Sequence, residues 1–376
     1  MRRQTIRIRI DPGGALEIVD PGYDVLALLR EVDPDYEVTT AGLDDPAAPR
    51  FVGLLTAGSG VAAASMQEMT ESALWEAHAR SMATYRDGDV TSKTEGELSL
   101  LGLKHELARR CLRDCRLCAR RCGVDRLAGK TGPCGLGAGA RVAEHFVHIA
   151  EEAPLNPSLV LNLRGCGLRC RYCQQHAILD ADGEGMPLDQ RLWAALDLTG
   201  ARSLSFVGGN PDESLPAVLD FLSAAPAEFK LPVVWNHHAY MTPEVFALLE
   251  GVVDLYLPDF KYGSDACGQA LSGVRGYVQA AHTILQCMML LRDCSIIVRI
   301  LVLPGHVDCC HRPAIAWLAE QPRRAKLMVS VRGQYMPDFR IGERNGERDG
   351  ELNRRASRAE IETVMRLVAD YGLTAI

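Results

Sequence analysis

Leu159-Val-Leu-Asn-Leu163 and, three residues further on, Cys166-Gly-Leu-Arg-Cys170-Arg-Tyr-Cys173 decide how this chain reads. A short unbroken apolar run between polar flanks is the pattern of a strand buried on both faces. It leads straight into a loop that carries three thiols. Among chains this rich in cysteine, roughly one or two in a hundred would show the spacing by chance. The loop therefore reads as a metal-binding element and not as an accident of composition. Three thiolates can hold three irons of a cubane, whereas a zinc site or an ordinary four-cysteine cluster needs a fourth ligand nearby. The next cysteine downstream is Cys267, so the fourth iron is expected to stay open to a small molecule.

Outward from this loop, everything after Pro154 alternates short apolar runs with helix-length segments. Strands are expected at 159–163, 204–207, 232–236, 254–259, 296–302 and 326–331. The helices between them have readable ends. Thr242-Pro243-Glu244 supplies an N-cap and an N1 proline, and Gly251 stops that helix. Ser357 to Glu360 forms a capping box, Ile361, Val364, Met365 and Val368 share one face, and Gly372 ends the last helix. Alternation of this kind demands right-handed crossovers and a parallel sheet. The expected fold class is α/β, a partial (β/α)6 TIM-like barrel over residues 151–376. In such barrels the chemistry sits on loops at the C-terminal ends of strands, which is where the three-cysteine loop falls.

Upstream, residues 1–100 read as an N-terminal appendage whose fold the sequence leaves open. Ile6-Arg7-Ile8-Arg9-Ile10 alternates like a strand, Asp11-Pro-Gly-Gly14, Asp20-Pro-Gly22 and Asp44-Asp-Pro-Ala-Ala-Pro49 are turn signals, and Thr70 to Tyr85 spaces Leu74, Trp75, Ala77 and Met82 like an amphipathic helix. Residues 101–150 read as a cysteine-rich metal-binding segment with too little apolar periodicity for a core of its own. Cys115, Cys118, Cys122 and Cys134 are the best set of four for a second metal site, with Cys111 as a spare buried thiol. Zinc and an auxiliary iron-sulfur cluster both suit that set. Arg109, Arg110, Arg113, Arg116, Arg120, Arg121 and Arg126 thread the same stretch without aromatic residues for base stacking. They are expected to offset thiolate charge or to dock an acidic electron donor.

Bulk properties narrow the field further. The 376 residues are 47% apolar and 24% charged, with a net charge of -7, which gives no reason to expect a nucleic-acid partner. No apolar stretch is long enough to span a membrane and the N-terminus lacks a signal-peptide pattern, so a cytoplasmic protein is expected. Thirteen cysteines, an odd number, in a large chain without a signal point to reduced thiols.

CxxxCxxC with an aromatic before its last cysteine, placed after the first strand of a partial barrel, resembles the radical SAM superfamily over about residues 105–376. Within that span the run from Cys115 to Cys134, the Gln174-Gln175 extension, Leu257-Pro-Asp-Phe-Lys261-Tyr-Gly and Leu303-Pro-Gly-His306-Val-Asp-Cys-Cys310 look most like the pyruvate formate-lyase activating enzyme-like branch. The resemblance implies an oxidoreductase-like enzyme in which Cys166, Cys170 and Cys173 hold a [4Fe-4S] cluster. S-adenosyl-L-methionine would bind the open iron and be cleaved reductively to methionine and a 5′-deoxyadenosyl radical. That radical would abstract hydrogen from a small molecule, a peptide or a glycyl radical enzyme. A donor such as flavodoxin or ferredoxin would supply the electron.

The same resemblance assigns S-adenosylmethionine contacts to Tyr172, Gly208, Gly209, Asn210, Asn236, Asp259, Lys261 and Arg299. Asn210 stands where the superfamily usually has an acidic residue, while Asp259 with Lys261 could equally be a structural ion pair. His306, Cys309, Cys310 and His311 cluster after the fifth strand, where they could meet substrate or simply form a polar loop with buried thiols. His237, His238, Gln334 and Tyr335 are substrate-side candidates that packing or solvent exposure would explain at least as well, and Cys267, Cys287 and Cys294 read as structural. The competing class is a non-enzymatic iron-sulfur electron carrier, which needs four ligands per cluster.

Overall fold

Six apolar runs become six neighbouring parallel strands, because each is too short and too apolar to be stable except between two others. The computed structural model describes residues 8–10, 16–18, 49–291, 294–342 and 350–376. Two short strands, β1 (Ile8–Ile10) and β2 (Leu16–Ile18), pair antiparallel. The turn signals at 11–14, 20–22 and 44–48 lie outside the described residues. Next come α1 (Arg50–Thr56), β3 (Gly58–Ala62), α2 (Glu71–Asp87), β4 (Glu97–Ser99) and α3 (Leu100–Arg110).

The main sheet is built from β5 (Arg141–His148), β6 (Ser158–Leu163), β7 (Met186–Pro187), β8 (Ser203–Gly208), β9 (Val233–His237), β10 (Leu255–Pro258), β11 (Ser295–Leu301), β12 (Leu327–Arg332) and β13 (Thr374–Ala375). Its order is β13-β12-β11-β10-β9-β8-β6-β5-β7. From β6 through β13 every pair is parallel, while β5 runs antiparallel to both β6 and β7. The architecture is a mixed α/β fold with a mostly parallel sheet. All six expected strands form within one residue of their expected starts. The antiparallel β5 is an addition: Arg141 to His148 mixes charged and apolar residues, and only its pairing along β6 makes it a strand.

Between the strands lie α4 (Leu215–Ser223), α5 (Pro243–Leu249), α6 (Asp265–Ser272), α7 (Tyr277–Leu290), α8 (Arg312–Glu320) and α9 (Arg358–Asp370). The caps behave as their chemistry requires. Thr242 accepts from Val245 N at the start of α5, and Ser357 and Glu360 complete the capping box of α9. Val364 and Val368 of α9 are buried, but Met365 is 54% exposed. Leu367 completes the buried face instead, three residues after Val364.

The connection from β6 to β8 departs from a β/α unit. Among the described residues it holds 3-10 turns at His176–Ile178 and Gln190–Ala195 but no α-helix. The outer layer is filled from upstream, by α3 packing on α4 and α5. Residues 101–110 were expected to be poor in core-forming pattern, yet α3 buries Leu100, Leu101, Leu103, Leu107 and Ala108. The expected boundary at 100–101 thus falls inside a helix. Phe51 packs on Phe229 with ring centroids 5.9 Å apart, and Arg86 pairs with Glu250 at 2.6 Å. Residues 50–110 thereby share the main core.

Candidate metal centre

Parallel strands put all their C-terminal ends on one edge, and the loop from Gly165 to Cys173 leaves that edge directly after β6. Gly165 has φ +81°, and a Cβ there would lie 2.7 Å from Leu136 Cγ. Arg169 also adopts a positive φ of 51°, an uncommon conformation for a non-glycine residue. The loop is pinned by Gly165 N to Ile178 O, Arg171 N to Leu271 O and Cys173 N to Cys170 O, at 3.0, 2.8 and 3.1 Å. Cys166 and Cys170 are 7% exposed and Cys173 is half-buried.

Burial, then Glu213 and the neighbouring Cys170, push the Cys166 thiol well above its usual range. Burial and Cys170 push Cys173 up to about 11. Such thiols stay protonated until a metal ion replaces the proton, so loading this loop releases protons. Ser272 Oγ donates to Cys170 Sγ at 3.1 Å and accepts in turn from Tyr262 Oη at 2.6 Å, which lies 3.6 Å from the same sulfur. Three soft donors on one loop, one of them accepting a hydroxyl hydrogen bond, fit an iron-sulfur cluster.

The upstream cysteines lie against this loop. Cys118 bridges Met241 beyond β9, and Ala119 N donates to Tyr240 O at 3.0 Å. A Cβ on Gly167 would lie 3.1 Å from Cys118 Sγ, and one on Gly132 would lie 2.8 Å from Cys122 Sγ. Burial and Glu213 hold the Cys118 and Cys134 thiols up, with Cys115 a further neighbour of both. Cys115 and Cys122 adjoin in turn, Cys122 Sγ lying 3.9 Å from Cys115 O. Glu213 thus neighbours Cys118 and Cys134, while Cys115 links these two to Cys122. Cys111 is buried at the end of α3, as a spare thiol should be.

Six of the seven arginines of this stretch bond to other groups of the chain, and Arg113 is exposed. Arg120 donates to Gly167, Ser272 and Gly273 carbonyls, and Arg126 to Gly137 and Glu213 carbonyls. Arg109 and Arg110 pair with Glu106, Arg116 with Glu71 and Arg121 with Glu244. Arg116, Arg120, Arg121 and Arg126 crosslink the segment to the rest of the chain.

The residues expected to hold the nucleoside occupy the same edge with varied partners. Gly208 and Gly209 are glycines for a nearer reason than ligand approach. A Cβ on Gly208 would fall on the Leu163 backbone, and one on Gly209 on the Gly165 carbonyl. Asn210 is buried, donating to Glu213 Oε2 at 2.5 Å and accepting from His238 N at 3.1 Å. Tyr172 is buried edge-on between Tyr262 and Tyr335, with centroids 6.4 and 6.1 Å away. Asn236 is half-buried at the end of β9.

Asp259 and Lys261 form an ion pair at 2.7 Å. Against the cost of burial, Asp259 and the Cys170 sulfur hold the Lys261 ammonium above its usual range. Arg299 reaches Glu151 at 2.6 Å and Glu152 at 2.7 Å, and Arg332 joins Glu152 at 2.9 Å. Its guanidinium is thus committed to carboxylates of this chain.

His237 and His238 are buried at the end of β9. His237 Nδ1 lies 3.5 Å from Asp212 Oδ2, and His238 Nε2 3.4 Å from Glu213 Oε1. The cause is the turn Asp212–Ser214, which tucks both carboxylates inward beneath the loop after β8. Tyr335 is buried with its hydroxyl on Leu352 O at 2.7 Å, while Gln334 is exposed. His311 is buried and accepts from Leu303 N at 3.0 Å.

Two features escaped the sequence. Glu213 is 1% exposed and accepts from Gly167 N at 2.9 Å between the two cysteine groups. Nothing marked it but its place three residues after Asn210. Cys267, read as structural, joins His306, Cys309 and Cys310 with all four ligand atoms within 4.8 Å. The signal available was the adjacent pair Cys309-Cys310 three residues after a histidine.

The sequence model of a 4Fe-4S single cluster domain matches residues 157–255. Cys166, Cys170 and Cys173 are the cysteines inside that span. The match and the loop together mark an iron-sulfur cluster-binding domain. No helix among the described residues is long and apolar enough to cross a membrane. The uncharacterized protein MJ0674 of Methanocaldococcus jannaschii is 32% identical over 314 residues, 81% of this chain and 89% of its own length. At that identity and coverage the chain belongs to one family with this archaeal protein.

Proposed function

We propose that the protein is a radical SAM enzyme of the activating enzyme-like branch. One observation carries the reading: the cluster-domain match spans three cysteines and no fourth. A [4Fe-4S] cluster on that set keeps an iron for the amino and carboxylate groups of S-adenosylmethionine, and its electron would cleave the sulfonium to a 5′-deoxyadenosyl radical.

Strand order supports a partial barrel. Strands β8 to β12 are consecutive neighbours, and crossovers of the usual right hand would carry their helices on one face and leave the other to curve inward. The chain's own part is orientation and exclusion of water. Tyr172, Tyr262 and Ser272 back the loop, and Gly208 and Gly209 let the β8 end close against it. Asp259 and Lys261, half-buried at the β10 end, offer the charges for a zwitterionic ligand. Asn236 and the backbone at Gly208 to Asn210 complete the wall. Arg299 acts through Glu151 and Glu152 as a positioning residue. An electron donor of the flavodoxin or ferredoxin class and a small-molecule, peptide or protein substrate are the partners, and the cytoplasm suits the reduced thiols.

A second reading, an electron carrier with a closed cluster, draws on Cys118 lying beside Gly167. Against it, the thiols that weigh most on Cys118 are Cys134 and Cys115, whereas those on Cys166 are Cys170 and Cys173. Anaerobic reconstitution followed by dithionite and S-adenosylmethionine separates the two. 5′-Deoxyadenosine from the wild type and none from Cys166/Cys170/Cys173→Ala supports the enzyme. An assembled cluster that never yields it, with or without candidate substrates, defeats that reading.

A further inference from the structure

Cys267 sits in the first turn of α6, and His306, Cys309 and Cys310 in the connection from β11 to α8. His306 Nδ1 lies 3.2 Å from Cys309 Sγ, 3.6 Å from Cys267 Sγ and 3.9 Å from Cys310 Sγ, and the sulfurs of Cys267 and Cys309 are 3.6 Å apart. A tetrahedral ion with bonds of about 2.3 Å to sulfur and about 2.0–2.1 Å to nitrogen sets its ligand atoms about 3.5–3.8 Å apart. The observed spacing is that of ligands around one ion. It is far too long for a disulfide, whose sulfurs stand about 2.05 Å apart. Hydrogen bonding alone cannot account for it, because one imidazole nitrogen offers a single proton or a single lone pair, and three sulfurs converge on this one.

The backbone is shaped to make the convergence possible. Neighbouring residues of an α-helix point about a quarter-turn apart or more, but Val307–His311 is a π-turn. Cys310 N and His311 N both donate to His306 O, at 3.0 and 3.2 Å. The widened turn brings Cys309 and Cys310 back toward the same histidine, and π-turns recur at functional sites. Gly263, just before α6, is pressed so closely on the Cys310 carbonyl that a Cβ would collide with it. Cys310 is buried while Cys309 is exposed, which leaves a path for an ion from solvent.

We propose that Cys267, His306, Cys309 and Cys310 form a closed Cys3His zinc site, separate from the three-cysteine loop. Four protein ligands leave no open position, so its role is structural. The ion staples the start of α6 to the β11–α8 connection. The far end of α6 is Ser272, whose hydroxyl meets Cys170 Sγ. The staple therefore holds one wall of the three-cysteine loop. The assignment does not depend on S-adenosylmethionine chemistry.

The test is metal analysis and zinc-edge X-ray absorption of the full chain purified without oxygen. A zinc shell that includes one imidazole nitrogen with three sulfurs is expected from the wild type. Cys267→Ser/Cys309→Ser should lose one zinc per chain, while Cys118→Ser, which strikes the upstream group, should keep it. Cys309→His should retain the ion with a second nitrogen in the shell, and covers the case in which the double variant fails to fold. A wild-type protein without zinc, a zinc shell of sulfur alone, or unchanged zinc in the double variant would overturn the site. So would iron in place of zinc as the metal lost.

Discussion

The two thiol groups at the C-terminal edge of the sheet are assembled in opposite ways. The early group, Cys115 to Cys173, is crowded in sequence, and the fold divides it into two neighbouring sets that meet where Glu213 faces Cys118, Cys134 and Cys166. In the late group Cys267 and His306 are 39 residues apart, yet their ligand atoms meet at 3.6 Å. Spacing in the chain reports which residues can share a loop. Only the register of β10 and β11, which carries α6 beside the following turn, decides which loops share a metal. The early group suits clusters spread over several irons, and the late group suits a single small ion.

If the early region is as tightly built as its glycines indicate, Gly209→Ala should be the most damaging single change. Its Cβ would land on the Gly165 carbonyl, and overpacking against backbone costs about 3 kcal/mol or more. Denaturation of the anaerobic protein should show that loss, with cluster iron falling while zinc at the late group stays. Equal loss of both metals would break the distinction between the regions.

Glu213→Ala comes next. It removes the acceptor of Gly167 N and Asn210 Nδ2 and leaves His238 without its carboxylate, which should cost about 2–3 kcal/mol. Iron content and urea midpoint should fall together, with Glu213→Gln intermediate. No change in either would remove Glu213 as the organiser of the early thiols.

The wall behind the early group contains a buried lysine. Lys104 Nζ meets His78 Nε2 at 3.0 Å and Ala247 O at 3.2 Å, and burial lowers its pKa to about 7. An unfolded lysine titrates near 10.4, so between about pH 7 and pH 10 the unfolded chain binds the additional proton. Stability therefore climbs with pH across that window, and it is lower, and level, below the folded value. Lys104→Met should flatten the climb, as read from urea midpoints at the two ends of the window. A slope that survives the substitution would assign it elsewhere.

Ser272→Ala, at the point where the two regions touch, should have the smallest effect. The lost hydroxyl is worth about 1 kcal/mol, and the cluster potential should move to more negative values as Cys170 loses a hydrogen bond. Potentiometric titration measures it, and an unmoved potential would uncouple α6 from the cluster.

Much of this molecule could be read in advance where local pattern and tertiary role coincide. The strands from Ser158 to Arg332 are apolar because they are central, and the Thr242 and Ser357 caps are chemical statements about their own backbones. Legibility failed where one segment borrows its role from another. Nothing in Arg141 to His148 marks a strand until β6 is beside it. The absence of a helix after the three-cysteine loop and its replacement by α3 likewise depend on packing between distant residues. In the site, Cys166, Cys170 and Cys173 were readable because all three belong to one loop. The choice between packing and a substrate-side place for His237 and His238 stayed open in the sequence because the inward turn at Asp212 and Glu213 is not written in their own neighbourhood, and Cys267 was undervalued because its partners lie beyond β11.

The central claim is that the cluster on Cys166, Cys170 and Cys173 keeps one iron open. Electron paramagnetic resonance of the dithionite-reduced protein, recorded before and after S-adenosylmethionine in a Cys115/Cys118/Cys122/Cys134→Ser background, reads that iron directly. The account predicts a reduced [4Fe-4S] signal that persists in this background and changes when S-adenosylmethionine is added. A fully assembled cluster whose signal ignores S-adenosylmethionine, or a triad cluster that cannot form without Cys118, would contradict it.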